Sequence, residues 1–209
     1  MPGELCLQGG AEFQPGCESM DTAMLRRPDG VMRRVLVAPF AGRQGREREV
    51  AGANARRWYL GLGAREVATV LHEDDLAQAL ADSELLVLPG GSPDRLLEAL
   101  LSHTASLRAA IARGMVVSGS SAGAMVLCSW TVLPGRVLRV VPALGLAAVD
   151  LVVPHYRGGA SSWADAAWPA LPTGAVVLGL PERSGVVVHE DATWYPAGVE
   201  PPAVLTPQA

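Results

Sequence analysis

The sequence predicts an α/β fold in one domain, with a mainly parallel sheet, and three observations predict it. Short β-rich apolar runs alternate with longer amphipathic stretches, the pattern of βαβ units. Several of those runs end in glycine-rich turns, as Leu85–Leu88 does at Pro89-Gly90-Gly91, where helices of such folds begin. The 209 residues contain no internal repeat and no linker that would separate two cores.

Taken in order, Leu5–Leu7 reads as a strand ending at Gly9-Gly10, Val35–Pro39 as a second, and Glu66–Leu71 as a third after a helix over Glu47–Leu60. A helix over Asp75–Ala81 precedes the strand Leu85–Leu88, and Pro93–Leu101 and Ala105–Arg113 follow as helices. Met115–Ser118 returns as a strand and Ser121–Cys128 opens another helix. Beyond Trp130, the strands Val137–Val141, Leu151–Pro154, Val176–Leu178 and Val186–His189 are joined by connections punctuated with Pro and Gly. The domain therefore runs over residues 1–195, and the tail from Pro196 to Ala209, with four prolines, is expected to be an irregular strap or disordered.

Composition removes several functions. Apolar residues make up 49% of the chain and charged residues 18%, with a mean hydropathy of +0.23, so there is ample surface to bury. No apolar stretch approaches the roughly 20 residues needed to span a bilayer, and the first residues do not form a secretory signal; a cytoplasmic protein is expected. All 17 basic residues are Arg, which excludes Schiff bases, Ser–Lys dyads and phosphate-loop lysines. A net charge of −4 without a concentrated basic face argues against nucleic-acid partners. Cys6, Cys17 and Cys128 have no metal or disulfide spacing, and His72, His103, His155 and His189 are dispersed, so neither a metal nor a cofactor is expected.

The strongest local signal is Gly119-Ser120-Ser121-Ala122-Gly123-Ala124, where an apolar strand runs directly into a helix. A G-x-S-x-G turn in that context raises Ser121 on a strand-to-helix elbow, above the sheet edge where open α/β sheets bind ligands. A serine hydroxyl needs a base, and the base needs an orienter. His155, leaving the strand Leu151–Pro154 at the same sheet edge, is the best-placed histidine; the others read as surface, turn or structural groups. Asp150, Glu182 and Glu190 compete for the third place. Asp150 lies five residues before His155 in one extended run, more than about 10 Å away, which argues against it, while Glu182 follows Gly179 and Pro181 at a strand end. An oxyanion hole needs two backbone amides: Ala122, after the serine, and a glycine of Pro89-Gly90-Gly91-Ser92, with Gly91 preferred and Gly90 second.

Gly9-Gly10-Ala11-Glu12-Phe13, Val87-Leu88-Pro89-Gly90-Gly91, the serine elbow, Pro154-His155-Tyr156 and Gly179-Leu180-Pro181-Glu182 resemble, in that order, the dipeptidase E and cyanophycinase family of serine peptidases. The resemblance covers about residues 5–190 and implies a single-domain three-layer sandwich, the flavodoxin-like, class I glutamine amidotransferase-like fold. It implies Ser121 as nucleophile, His155 as general base and acid, Glu182 as orienter, Gly91 and Ala122 as oxyanion donors, a small peptide substrate and a homodimer. In the glycine loop, Pro89 and Ser92 depart from the family's usual residues. Arg157 and Arg183, with Tyr156, are the candidate substrate-binding residues, although neither arginine sits clearly in the family's motif for an acidic side chain. Trp163 and Trp168 read first as core packing. Two alternatives stand beside peptide hydrolysis: another amide, such as a cyanophycin-like isopeptide, or a non-catalytic relative that binds a small metabolite.

Overall fold

In the computed structural model, which describes residues 3–207, the chain first forms β1 (Leu5–Gln8), α1 (Glu18–Leu25), β2 (Val35–Val37), α2 (Arg46–Gly61), β3 (Val67–Thr69), α3 (Leu76–Ala79) and β4 (Leu85–Leu88). It continues through α4 (Pro93–Leu101), α5 (Thr104–Ala112), β5 (Val116–Ser120), α6 (Ala122–Leu127), β6 (Trp130–Leu133), β7 (Arg139–Pro142) and β8 (Leu151–Val153). The last part adds α7 (Ser162–Ala167), β9 (Val177–Gly179), β10 (Ser184–Val188), β11 (Trp194–Gly198) and β12 (Ala203–Leu205).

Every residue of β1, β2, β4 and β5 is buried, and strands buried on both faces need helices on both sides. Alternation along each strand sends side chains to opposite faces. Leu5 and Leu7 pack with Leu96, Leu100 and Met125 of α4 and α6, whereas Cys6 packs with Met20, Met24 and Tyr59 of α1 and α2. The result is a three-layer α/β sandwich. Its seven-stranded sheet has the order β11-β10-β1-β5-β4-β2-β3; β1, β5, β4, β2 and β3 are mutually parallel, and β10 and β11 close one edge antiparallel. A second sheet, β12-β9-β8, and the hairpin β6-β7 stand apart from it.

Four elements depart from the sequence reading. α1 went unread because Asp21 interrupts its apolar face at a buried position, and β6 lies between the helix read over Ser121–Cys128 and the strand read over Val137–Val141, in a stretch assigned to neither. The Pro-rich tail is irregular only in part: β11 pairs with β10 and β12 pairs with β9, while its last two residues lie outside the described residues. Pro196 is tolerated because β11 is an edge strand, where no further ladder partner needs its missing N–H.

Asp21, 1% exposed, accepts hydrogen bonds from Gln8 Nε2 (2.7 Å) and Trp58 Nε1 (2.8 Å), and no described cation pairs with it. Burial pushes its carboxyl up from the ordinary 3.8 to about 6, with the bonds from Gln8 and Trp58 opposing the rise. A folded value above the unfolded one means that the native state holds the extra proton. The stabilisation is full below about pH 4 and is lost as pH rises to about 6, roughly 3 kcal/mol in all. Urea midpoints between pH 4 and 7 should therefore fall for the wild type relative to Asp21→Asn, which has no proton to release there. A constant difference between the two would show that Asp21 stays ionised throughout.

Candidate active site

The elbow is dictated by close packing. A Cβ on Gly119 would stand 2.5 Å from the Gly123 carbonyl carbon, and one on Gly123 would stand 2.2 Å from the Leu88 carbonyl oxygen. Neither backbone can retreat, so β4, β5 and the start of α6 meet only through glycine. The chain turns through Ser121 at φ 49° and ψ −108°, a sparsely populated conformation that the surroundings must impose. The Ser121 N–H donates to the Gln8 carbonyl at 2.9 Å.

His155 leaves β8 and Glu182 follows β9. Both strands belong to the small sheet and not, as expected for His155, to the edge of the main sheet that carries Ser121. The loop after β1 joins the two sheets. The carbonyls of Gln8, the last residue of β1, and of Gly9 and Gly10 after it accept the N–H groups of Ser121 (2.9 Å), His155 (2.8 Å) and Arg183 (3.0 Å). Two glycines make this approach possible: a Cβ on Gly9 would meet the Pro181 carbonyl oxygen at 2.1 Å, and one on Gly10, at φ +129°, would meet His155 Cε1 at 2.3 Å. So gathered, Ser121 Oγ lies 2.9 Å from His155 Nε2, and His155 Nδ1 lies 3.0 Å from Glu182 Oε1. With the proton on Nδ1, the ring donates to Glu182 and accepts from the serine hydroxyl. All but one of the described non-glycine residues at positive φ are in or beside this arrangement: Ala11, Phe13, Ser121, His155 and Arg183, with Ala192 apart. Strain of this kind concentrates at functional sites.

The glycine loop sorts its own donors. The Gly90 N–H is taken by Glu12 Oε1 at 2.8 Å, and the Ser92 N–H by the Ala41 carbonyl at 3.1 Å. The hydrogen of Gly90, the second choice for an oxyanion donor, is thus directed at Glu12. Among the described residues, neither Gly91 N–H nor Ala122 N–H has an acceptor. Gly91 has a φ of +142°, and a Cβ there would strike Ala41 at 2.9 Å.

A cleft of about 550 Å³ opens beside the histidine, lined by Tyr156, Arg157, Arg183 and Glu200 among others. Tyr156 is anchored: its ring lies against Gly179 and its hydroxyl donates to the Gly159 carbonyl at 2.7 Å. Arg157 and Arg183 reach the cleft wall. Asp150 is elsewhere, accepting from the Val176 N–H, and His189 faces Glu4 at 3.4 Å and stacks on Tyr195. Trp163 and Trp168 pack against the main core. The three cysteines are free and buried, and burial pushes the Cys6 thiol up to about 12, so they offer no nucleophile at neutral pH. Sequence reasoning missed Glu12 as a contact of the glycine loop and Glu200 as cleft wall. Glu12 stood in a quoted motif, but nothing in its spacing revealed a partner 78 residues away.

The chain matches the model of peptidase family S51 over residues 5–193. It belongs to that family. An S51 chain is a serine peptidase, and the solved structures it resembles carry the same fold. A peptidase from an acI-B1 actinobacterium superposes with a TM-score of 0.78 at 23% identity, covering 98% of this chain and 91% of that one. A putative peptidase E protein from Listeria monocytogenes EGD-e superposes with a TM-score of 0.68 at 14% identity, covering 96% of this chain and all of the other. No curated protein sequence is matched. The S51 fold is the flavodoxin-like sandwich described above, and among the described residues no helix is long and apolar enough to cross a membrane.

Proposed function

We propose that the chain hydrolyses short peptides through an acyl-enzyme, with Ser121 as nucleophile, His155 as general base and acid, and Glu182 as orienter. The observation that carries the reading is the continuous relay from Ser121 Oγ through both imidazole nitrogens to Glu182, at 2.9 and 3.0 Å. Ser121 Oγ attacks the scissile carbonyl while His155 Nε2 takes its proton. The carbonyl oxygen, now negative, is met by the free Gly91 and Ala122 N–H groups, whose value is highest where charge develops. His155 returns the proton to the departing amine, and water, activated by the same nitrogen, releases the acid from Ser121. Glu182 holds the tautomer and balances the transient imidazolium charge.

Arg157 and Arg183 favour peptides that bring a carboxylate into the cleft. No cofactor enters this chemistry. Three unpaired cysteines suit a reducing compartment, and a cytoplasmic location and a homodimeric assembly complete the reading; sedimentation measures the latter. The test is hydrolysis of Asp-Xaa, Leu-Xaa and β-aspartyl dipeptides by wild type and Ser121→Ala. Cleavage of one class by the wild type alone supports the proposal and reports whether the arginines select an acidic group. Failure of the wild type on the whole panel sinks the dipeptide assignment.

A further inference from the structure

Among the described residues, Glu12 is the one carboxylate whose two oxygens touch two different parts of the site. Oε1 accepts from the Gly90 N–H at 2.8 Å, and Oε2 accepts from Ser120 Oγ at 3.0 Å. Gly90 belongs to the loop after β4 and Ser120 is the last residue of β5, directly before the nucleophile. The side chain therefore spans the gap across which a substrate carbonyl must fit. The absent Cβ of Gly90 would stand 2.8 Å from Glu12 Oε1 and 3.3 Å from Ser121 Cβ, so the carboxylate and the nucleophile face the same side of that glycine.

Glu12 is not a partner in an ion pair: among the described residues no Arg or His lies within salt-bridge distance of it. Its backbone is forced into place. Ala11 and Phe13, on either side, sit at φ 57° and 60°, conformations that are strained for a non-glycine residue and persist only where the surroundings impose them. The turn is fastened by Cys17 Sγ on the Ala11 carbonyl (3.3 Å) and by the Phe13 ring, edge-on to Tyr59 at 6.2 Å. The glycine loop is thus pinned at two points, Gly90 by Glu12 and Ser92 by the Ala41 carbonyl, and the one N–H left between them is Gly91.

We infer that Glu12 is a positioning residue, a bracket that fixes the distance between the Gly91 N–H on one side and Ser121 with the Ala122 N–H on the other. A misplacement of about 1 Å between donors and nucleophile is enough to lose roughly 100-fold in rate. What the bracket requires is two polar atoms at fixed separation rather than a negative charge. Glutamine meets that requirement, since its carbonyl oxygen can accept from Gly90 and its amide can donate to the Ser120 hydroxyl.

The inference rests on the serine-peptidase reading, and the test separates the two. An uncharged alkyl fluorophosphonate, from which Ser121 Oγ displaces fluoride, reports nucleophile and oxyanion hole without any peptide recognition. The wild type is labelled and Ser121→Ala is not if the reading holds. Glu12→Ala should then label 10- to 100-fold more slowly, Ser120→Ala, which removes one arm only, several-fold more slowly, and Glu12→Gln within about threefold of wild type. Hydrogen exchange of residues 89–92 should speed up at least tenfold in Glu12→Ala and stay unchanged in Glu12→Gln. Wild-type labelling by Glu12→Ala, or equal loss in Gln and Ala variants, overturns the bracket, the second result assigning the role to charge. If Glu12→Ala does not fold, Ser120→Ala decides by the same labelling. If the wild type itself is not labelled, the serine reading falls and the exchange of residues 89–92 alone decides for or against the bracket.

Discussion

Ser121→Ala is expected to lower kcat on any peptide that the wild type cleaves by about 10⁴- to 10⁶-fold, the scale on which loss of a serine nucleophile is felt when the remaining groups act as a unit. The fold should not notice. Among the described residues the Ser121 hydroxyl bonds only to His155 Nε2, whereas the bond that holds the elbow, from the Ser121 N–H to the Gln8 carbonyl, belongs to the backbone. The strained conformation at φ 49° is equally strained for alanine, so no relief is gained. Melting temperatures within a degree or two of each other, together with loss of hydrolysis, would separate chemistry from stability. Retained turnover in the variant would show that another group attacks the carbonyl.

Gly10→Ala should come second in effect, and by a different route. The new Cβ would fall 2.3 Å from His155 Cε1 and 2.7 Å from Nδ1, closer than any real contact, so one side must move. A backbone obstacle would convert this overlap into unfolding, as at Gly9, where the nearest atoms are the Pro181 and Leu180 carbonyl oxygens. At Gly10 the obstacle is an imidazole that can rotate away, and rotation takes Nε2 off Ser121 and Nδ1 off Glu182 together. The expected outcome is a loss of at least 100-fold in kcat, about 3 kcal/mol, with a smaller loss of stability from placing alanine at φ +129°. Kinetics set beside a denaturant curve would check this, and a Gly10→Ala enzyme with full turnover would mean that the ring has room that the structure does not show.

The sequence made the elbow legible because glycines on both sides of a serine, between an apolar strand and a helix, have few other physical uses. His155 was legible from the strand before it, and Glu182 only with the help of a resemblance, since among three carboxylates spacing excluded Asp150 and went no further. What stayed hidden was everything that depends on a fold-back over long distance. Nothing local in Gln8-Gly9-Gly10 states that its carbonyls hold three segments from far along the chain, or that Glu12 reaches Gly90. α1 was obscured by Asp21, a polar residue on a buried face whose partners, Gln8 and Trp58, lie on other elements. The tail was misread because its prolines argue against strand, an argument that fails on a sheet edge. The sheet to which His155 and Glu182 belong could not be inferred either, because short parallel strands such as β8 and β9 carry no mark of their partners.

The position of β1 also bears on the order in which the molecule assembles. Leu5 pairs with Val117 on one side and with Val188 on the other, so β1 is flanked by strands from the middle and from near the end of the chain, far from it in sequence. Closing such long loops is slow compared with forming the local units around β2, α2, β3 and β4. The carbonyls of Gln8, Gly9 and Gly10 cannot gather Ser121, His155 and the Glu182 loop until both closures are made. Competence to react should therefore be the last property to return on refolding: after dilution from urea, helical circular dichroism should recover ahead of fluorophosphonate labelling at Ser121. Simultaneous recovery would mean that β1 docks at the outset and that the rest of the sheet grows around it.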